Sequence, residues 1–409
     1  MRPHQVLYLT FDGILSPLGF SQVVRVVDAL AQRGAHYTIV SLERAADLAD
    51  RGRVEQLRDR LAHAGVQWRA LTYDNTGSAA AAGRNLASAF AAIMRLVAAG
   101  QVALIHPRGY QAAMVALAVN RVTKKPYLFD ARGYWIDERV AEGRWFVRPT
   151  PYAAAKKLER QLYQRARGVV TLTDLQADDL RSGRITGTPL SLVTTITTSA
   201  DFDAFVPDRE RALTTLPPAL AARLAAAQVI GLVGSLNGSY RADDTARLCR
   251  RLLDHGPDAH LLVLSAQHPE YQQLFARHGI AADRYTLAQS SHEAMPSWLA
   301  CIDWSPLLLH ENFAKRASMP TKLGEFFAAG VRPIQFGCNP EVSDWVRRTG
   351  TGLVLSDLDD STFDGAAQAV RTAPRDLAAL ERGREIARDH FSLATAVDKY
   401  QGLLAEILG

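Results

Sequence analysis

Short runs of apolar, β-branched and aromatic residues alternate along this chain with longer stretches whose apolar positions recur every three or four residues. The runs at 6–10, 37–42, 66–71, 103–106, 127–130 and 168–172 show little polar alternation, which predicts strands covered on both faces, as in a parallel sheet. Between them, 21–32, 54–64, 79–99 and 110–121 carry helical periodicity. The stretch 79–99 is low in complexity, but its alanines favour a helix over disorder. Such alternation builds a doubly wound sheet. The pattern restarts with strands at 228–234, 260–264, 284–287, 302–308, 331–336 and 352–355, and helices at 243–254 and 269–277.

At 409 residues the chain suits two domains, each with its own core. Residues 203–227 hold Pro207, Pro217 and Pro218 in a charged, alanine-rich setting, which reads as a linker or as an insertion opening the second half. Helices are expected from about 374 to 408, broken near 390–392. We therefore expect an N-terminal α/β domain over 1–202, a second over 203–385 and a terminal helical segment over 386–409. Two Rossmann-like, doubly wound parallel-sheet halves facing each other define a cleft at the carboxyl ends of their strands, where ligands bind in such folds.

Composition narrows the class. With 48% hydrophobic and 22% charged residues, usage is ordinary for a globular enzyme. Cys249, Cys301 and Cys338 lie far apart without metal-ligand spacing, so reduced thiols and no metal are expected. The first strand starts at 6, leaving no room for a signal peptide, and no apolar run approaches the roughly 20 residues of a membrane span. A cytoplasmic location is expected. The net charge of +5 is uneven: 1–200 hold 26 Lys/Arg against 16 Asp/Glu, and 201–409 hold 21 against 26. Solubility is one explanation; an anionic partner of the N-terminal half, such as a membrane leaflet or a lipid-phosphate acceptor, is the other. Nucleic acid is not expected, because the basic residues do not cluster with aromatics in a binding motif. The stretch around Lys156, Lys157 and Arg160, with Tyr152, Tyr163, Arg165 and Arg167 nearby, is the basic amphipathic candidate for a membrane surface; an ordinary solvated helix face is the simpler explanation.

The segment 318–336 is the most informative. Pro320 suits the first turn of a helix, Gly330 its left-handed cap, and 331–336 a buried strand. The helix N-terminus favours an anion. Lys322 stands in that first turn, where the dipole disfavours a cation, so an anionic ligand explains it better than helix stability does. Glu325, three residues on, shares its face and suits the two hydroxyls of a ribose. A surface Lys322–Glu325 pair worth about 0.2–0.5 kcal/mol is the bland alternative. Pro320-Thr321-Lys322-Leu323-Gly324-Glu325, followed by Ala-Ala-Gly-Val-Arg-Pro-Ile, resembles the donor-nucleotide segment of retaining GT-B glycosyltransferases of the family 4 type. That resemblance implies a GT-B fold, a nucleotide-sugar donor, and donor-site roles for Pro320, Thr321, Lys322, Leu323 and Glu325.

Other segments extend it. Gly231-Leu-Val-Gly-Ser-Leu-Asn-Gly-Ser-Tyr-Arg241 offers Gly234 for close backbone approach to a diphosphate, Ser235 and Asn237 as donors and Arg241 as a charge-assisted partner; it is similar to the family's diphosphate loop. Lys315 and Arg316 could add positive charge. Residues 11–21, with Gly13, Pro17 and Gly19, read as a loop before a helix and resemble the family's first glycine loop, beside donor phosphates and acceptor. His106 and Arg108, at the end of the fourth strand, are candidate sugar or acceptor contacts, although a lone strand-end histidine is commonly structural. Asp130, Arg132, Asp137 and Glu138 beside Tyr134 and Trp135 suit carbohydrate hydroxyls and C–H faces; ion pairing within a loop is the alternative.

One departure stands out. The family's Glu-x7-Glu motif has a carboxylate eight residues before its ribose Glu, and here that position is Ala317. The resemblance implies a metal-independent retaining transferase of the hexosyltransferase type, UDP as favoured nucleotide, no cofactor, and Arg241, Lys322 and His106 as catalytic residues. No Asp-x-Asp metal motif sits at a plausible loop; Asp201-Phe-Asp203 lies between the halves. A nucleotide-sugar epimerase and a non-catalytic binding subunit, which Ala317 favours, are the rivals.

Overall fold

The computed structural model describes residues 5–143, 149–236, 238–291 and 293–409. Two compact units divide the chain: unit 1 comprises Met1–Thr197, Arg316–Ser318 and Ala396–Gly409, and unit 2 comprises Thr198–Lys315 and Met319–Thr395.

Among the described residues, unit 1 holds β1 (Gln5–Thr10), β2 (His36–Arg44), β3 (Gln67–Tyr73), β4 (Leu104–Arg108), β5 (Leu128–Asp130), β6 (Gly168–Thr171) and β7 (Val193–Thr195). They form one sheet in the order β3-β2-β1-β4-β5-β6-β7, parallel throughout. Leu7, Leu9, Ile105 and Phe129 pack against Ile93 and Leu96 of helix Ala79–Ala98 and Ala113 and Leu117 of helix Gly109–Thr123. Each such buried leucine contributes about 1.5–3 kcal/mol. Ser78 caps helix Ala79–Ala98 by accepting from the Ala81 N–H, and Gly100, at φ +69°, turns the chain after it.

Unit 2 holds β8 (Gln228–Val233), β9 (Ala259–Leu264), β10 (Tyr285–Ala288), β11 (Trp304–Leu308), β12 (Arg332–Phe336) and β13 (Leu353–Val354), ordered β10-β9-β8-β11-β12-β13 and parallel. Ile230, Leu232, Leu261, Val263 and Ile334 form its core with Leu248, Leu252 and Phe363. In both sheets the central strand is followed outward on each side, so the order reverses beside β1 and β8. Ligands of open α/β sheets bind at the carboxyl ends of strands at such points.

The predicted strand runs hold, with three differences. β4 continues to Arg108, so His106 and Arg108 belong to the strand itself. The helix placed at 21–32 starts earlier: Ser16 caps Pro17–Gly19, a single wide turn Phe20–Val24 follows, and Arg25–Gln32 completes it. β7, of three residues, is not among the predicted runs. Residues 203–227, of the two readings, open the second half as helices Arg209–Thr214 and Pro218–Ala226. The terminal helices break at Ser392, between Leu377–Phe391 and Leu393–Leu408. No helix among the described residues is long and apolar enough to cross a membrane.

At the amino ends of the unit 2 strands, buried Asp303 gathers what would otherwise be separate segments. Its carboxylate accepts from Arg209 (2.8 and 2.9 Å), Arg375 (3.3 Å) and the Val229 N–H (2.9 Å). Its carbonyl accepts from Arg332 (3.2 Å), whose guanidinium lies 4.2 Å from the Trp304 ring. Removing the carboxylate leaves three guanidinium groups crowded without their anion. The Asp303→Ala variant is therefore expected to lose about 3–5 kcal/mol of unit 2 stability in urea unfolding; a loss under about 1 kcal/mol would remove this anchor from the account.

Candidate functional site

In unit 2, Gly234 directly follows β8. Gly234 has φ +93°, and a side chain there would meet the Lys322 ammonium at 3.3 Å. Its N–H donates to the Leu264 carbonyl (2.8 Å), and its carbonyl accepts from the Tyr271 hydroxyl (3.1 Å). Further along, the Leu236 N–H donates to Gln267 Oε1 (2.8 Å). The loop closes onto the carboxyl end of β11 through an antiparallel bridge between Tyr240 and Leu309 and a bond from the Arg241 N–H to the Leu308 carbonyl (3.0 Å). Ser235 is exposed on this loop. Asn237 lies outside the described residues.

Helix Thr321–Ala329 begins beside that loop. Pro320 precedes the first helical residue by one position, with φ −62° and ψ 123°, and Gly330 ends the helix at φ +73°. A side chain at Gly330 would strike the Pro207 Cβ at 2.8 Å, so both conformation and space require glycine there. Leu323 is buried, while Thr321, Lys322 and Glu325 are half-buried. The Lys322 ammonium donates to the Val233 carbonyl at the end of β8 and stands 4.1 Å from the centre of the Tyr240 ring. Arg241 pairs with Asp244 (2.7 Å), and its guanidinium lies 5.9 Å from the Phe336 ring at the end of β12. Lys315, buried, donates to the Ser239 hydroxyl (3.2 Å), and its carbonyl accepts from Asn339 (2.6 Å). Thus Lys315, Lys322 and Arg241, from three separate stretches of sequence, meet around one loop and one helix N-terminus.

In unit 1 a second group forms at the ends of β1, β4 and β5. Register places Tyr8 opposite His106 and Arg108 opposite Asp130. Asp130 is fully buried, with Arg108 (3.4 Å) and the Tyr400 hydroxyl (3.3 Å) on one carboxylate oxygen and Arg132 (3.6 Å) near the other. Arg108 also reaches Asp12 (3.5 Å). Arg132 adopts φ +55°, which costs a non-glycine residue about 1–2 kcal/mol, and Gly133 follows at φ +133°. His106 lies between the rings of Tyr8 (4.5 Å) and Tyr400 (5.4 Å), with no hydrogen-bond partner at either nitrogen. Burial pushes its pKa down to about 4.

The remaining candidates fall around this group. Gly19 sits inside the early helix: a Cβ there would come within 2.1 Å of the Gly13 carbonyl, so its place is fixed by close backbone packing. The loop before it is held by buried Glu43, which accepts from the N–H groups of Ile14 (2.8 Å) and Leu15 (3.2 Å). Trp135 stacks on Tyr110 (5.9 Å) and carries Arg139 over its ring (5.1 Å). Glu138 accepts from Ser318 (3.2 Å), while Arg316 makes a two-pronged pair with Asp179 (3.0 Å each), so Arg316 is committed to unit 1. Ala317 between them is buried. Lys156 also turns inward, to Asp137 (2.8 Å) and Glu159, leaving Lys157, Arg160, Arg165 and Arg167 as the exposed cations of that stretch. Sequence reasoning missed Tyr8, Glu43, Tyr240 and Tyr400. Tyr240 carried a faint signal, an aromatic directly before Arg241; Tyr400, 270 residues from Asp130, carried none.

Two parallel sheets of seven and six strands match the fold of solved two-domain glycosyltransferase structures. The fold is GT-B. Residues 21–191 match the family model described as a glycosyl transferase 4-like domain. No curated protein matches the chain in sequence. Among solved structures, it is similar to Anabaena HepE in complex with UDP and glucose, at 15% identity and TM-score 0.68, covering 98% of this chain and 99% of that one. Sucrose-phosphate synthase from Thermosynechococcus elongatus is similar at 14% identity and TM-score 0.69, covering 99% of each chain. A glycosyltransferase from Rickettsia africae follows at 14% and 0.68, covering 100% of this chain and 99% of that one.

The His106 environment makes a prediction. Its pKa is about 4 in the fold against an ordinary value of 6.5, so the fold resists protonation that the unfolded chain accepts. Stability from this group is full above about pH 6.5 and is lost as pH falls through about 4, on the order of 3 kcal/mol in all. The stability of His106→Leu relative to the native chain, followed by urea unfolding, should rise by roughly that amount between pH 7 and pH 4. A difference constant over this window would rule the histidine out as its source.

Proposed function

We propose that the chain is a metal-independent, retaining glycosyltransferase that moves a hexose from a nucleotide-diphosphate sugar, UDP favoured, to a hydroxyl acceptor in surface polysaccharide or glycoconjugate assembly. The reading is carried by the meeting of Lys322, Lys315 and Arg241 at the Gly234 loop and the N-terminus of helix Thr321–Ala329. Fixed cations and N–H groups at one point suit a diphosphate and oppose the charge it gains as it leaves. Gly234 lets the backbone approach, Ser235 and Asn237 donate, and Glu325 takes the ribose hydroxyls; Pro320, Thr321 and Leu323 shape the helix start. The HepE likeness, a structure holding UDP and glucose, supports a uridine nucleotide, and the match to the glycosyl transferase 4-like model supports transfer over epimerisation.

The bond from the anomeric carbon to the diphosphate oxygen breaks, and the acceptor oxygen bonds to the same face. The acceptor proton passes to the departing phosphate, so no protein nucleophile takes part. On this reading unit 1 binds sugar and acceptor: Arg108 and Arg132, held by buried Asp130, supply charged hydrogen-bonding groups, Trp135 an aromatic face and Glu138 a carboxylate, while Gly19 holds the first loop close. His106, expected among the catalytic residues, is fully buried between Tyr8 and Tyr400, so we assign it to the packing of this group and not to contact with the sugar. The exposed Lys157, Arg160, Arg165 and Arg167 suit a lipid-linked acceptor at the inner membrane face.

UDP at 100 times its dissociation constant is expected to add about 2.7 kcal/mol of stability without metal, read as a thermal shift. Lys322→Ala should cost about 100- to 1,000-fold in turnover, by analogy with loss of one transition-state donor. Glu325→Ala should mainly weaken UDP binding. Product analysis with UDP-glucose distinguishes transfer from epimerisation; unaltered affinity and rate in both variants would sink the site.

A further inference from the structure

We propose that Tyr240 is a positioning residue for Lys322, a seat that holds the ammonium where a diphosphate is to be met. This deepens the donor reading above and rests on it. Three observations on unit 2 define the seat. The Lys322 ammonium donates to the Val233 carbonyl at the last residue of β8. It stands 4.1 Å from the centre of the Tyr240 ring, within the range of a cation–π contact. It also lies close against Gly234, 3.3 Å from where a Cβ on that residue would stand.

The arrangement answers a difficulty that Lys322 creates. As the second residue of helix Thr321–Ala329 it stands at the positive end of the dipole, and its long stem is free to swing into solvent. A carbonyl and an aromatic face from one loop fix the ammonium without neutralising its charge, whereas a carboxylate would cancel the charge a phosphate needs. Tyr240 is itself held, by its bridge to Leu309, and the adjoining Ser239 is held by Lys315. Tyr240 therefore has a fixed place on the loop that offers Gly234, and it sets Lys322 beside that loop. Preorganisation of this kind lowers the entropy lost on binding.

The test is calorimetric titration of the full chain with UDP and, separately, with uridine. Tyr240→Leu is expected to weaken UDP roughly tenfold while leaving uridine unchanged, and Tyr240→Phe, which keeps the ring, to match the native chain. In a Lys322→Ala background, Tyr240→Leu should have no further effect on UDP. Native-like UDP affinity in Tyr240→Leu overturns the proposal, as does an equal loss for UDP and uridine, or a full additional loss in the Lys322→Ala background. Native chain that binds no UDP removes the donor reading itself, and the proposal with it. Melting temperatures of the variants, matched to the native value, tie the affinity change to the seat and not to unfolding.

Discussion

A lysine in the first turn of a helix opposes that helix's own dipole, and the carboxyl end of the unit 2 sheet is organised around how Lys322 is accommodated there. The ammonium is turned back onto the Val233 carbonyl and the Tyr240 ring, which joins the helix start to the loop after β8. That junction favours a glycine at 234, whose φ of +93° L side chains rarely adopt. It also needs the loop to return across β11, which the Tyr240–Leu309 bridge achieves. Each part is ordinary alone; together they place unneutralised positive charge at the switch in strand order, where a doubly wound sheet leaves room for a ligand.

Unit 1 resolves the opposite problem, a carboxylate with no access to water. Burying Asp130 is compensated by charge: Arg108 and the Tyr400 hydroxyl bond one carboxylate oxygen, while Arg132 stands 3.6 Å from the other, which has no hydrogen-bond partner among the described residues. One of those partners lies in the terminal helix Leu393–Leu408, so the last residues of the chain complete a cluster begun by the first strand. Glu43 repeats the device with backbone N–H groups in place of arginines, and burial raises its carboxyl above the ordinary value. The enclosed His106 is the cost of this packing: both ring nitrogens are left without a partner, which favours the neutral ring.

What could be read without coordinates followed from periodicity and from residues whose backbone requirements are narrow. Two rounds of apolar runs and helical stretches specify two parallel sheets, because strands without polar alternation must be covered on both faces. Gly330 announced the helix end, since few other residues adopt its conformation at low cost. Lys322 stood out because the helix dipole disfavours a cation in the first turn. Those features are local.

Tertiary structure alone decided which charges remain available. Lys156 and Arg316 look alike along the chain, yet Lys156 turns to Asp137 and Arg316 is bound by Asp179. His106 lies within a strand and under a tyrosine from the far end of the chain, a contact no spacing encodes. The reason is the range of the forces concerned. Helix caps and strand patterns are set by neighbours in sequence, whereas pairing, burial and the polarity around a charge are set by whatever the fold brings alongside it.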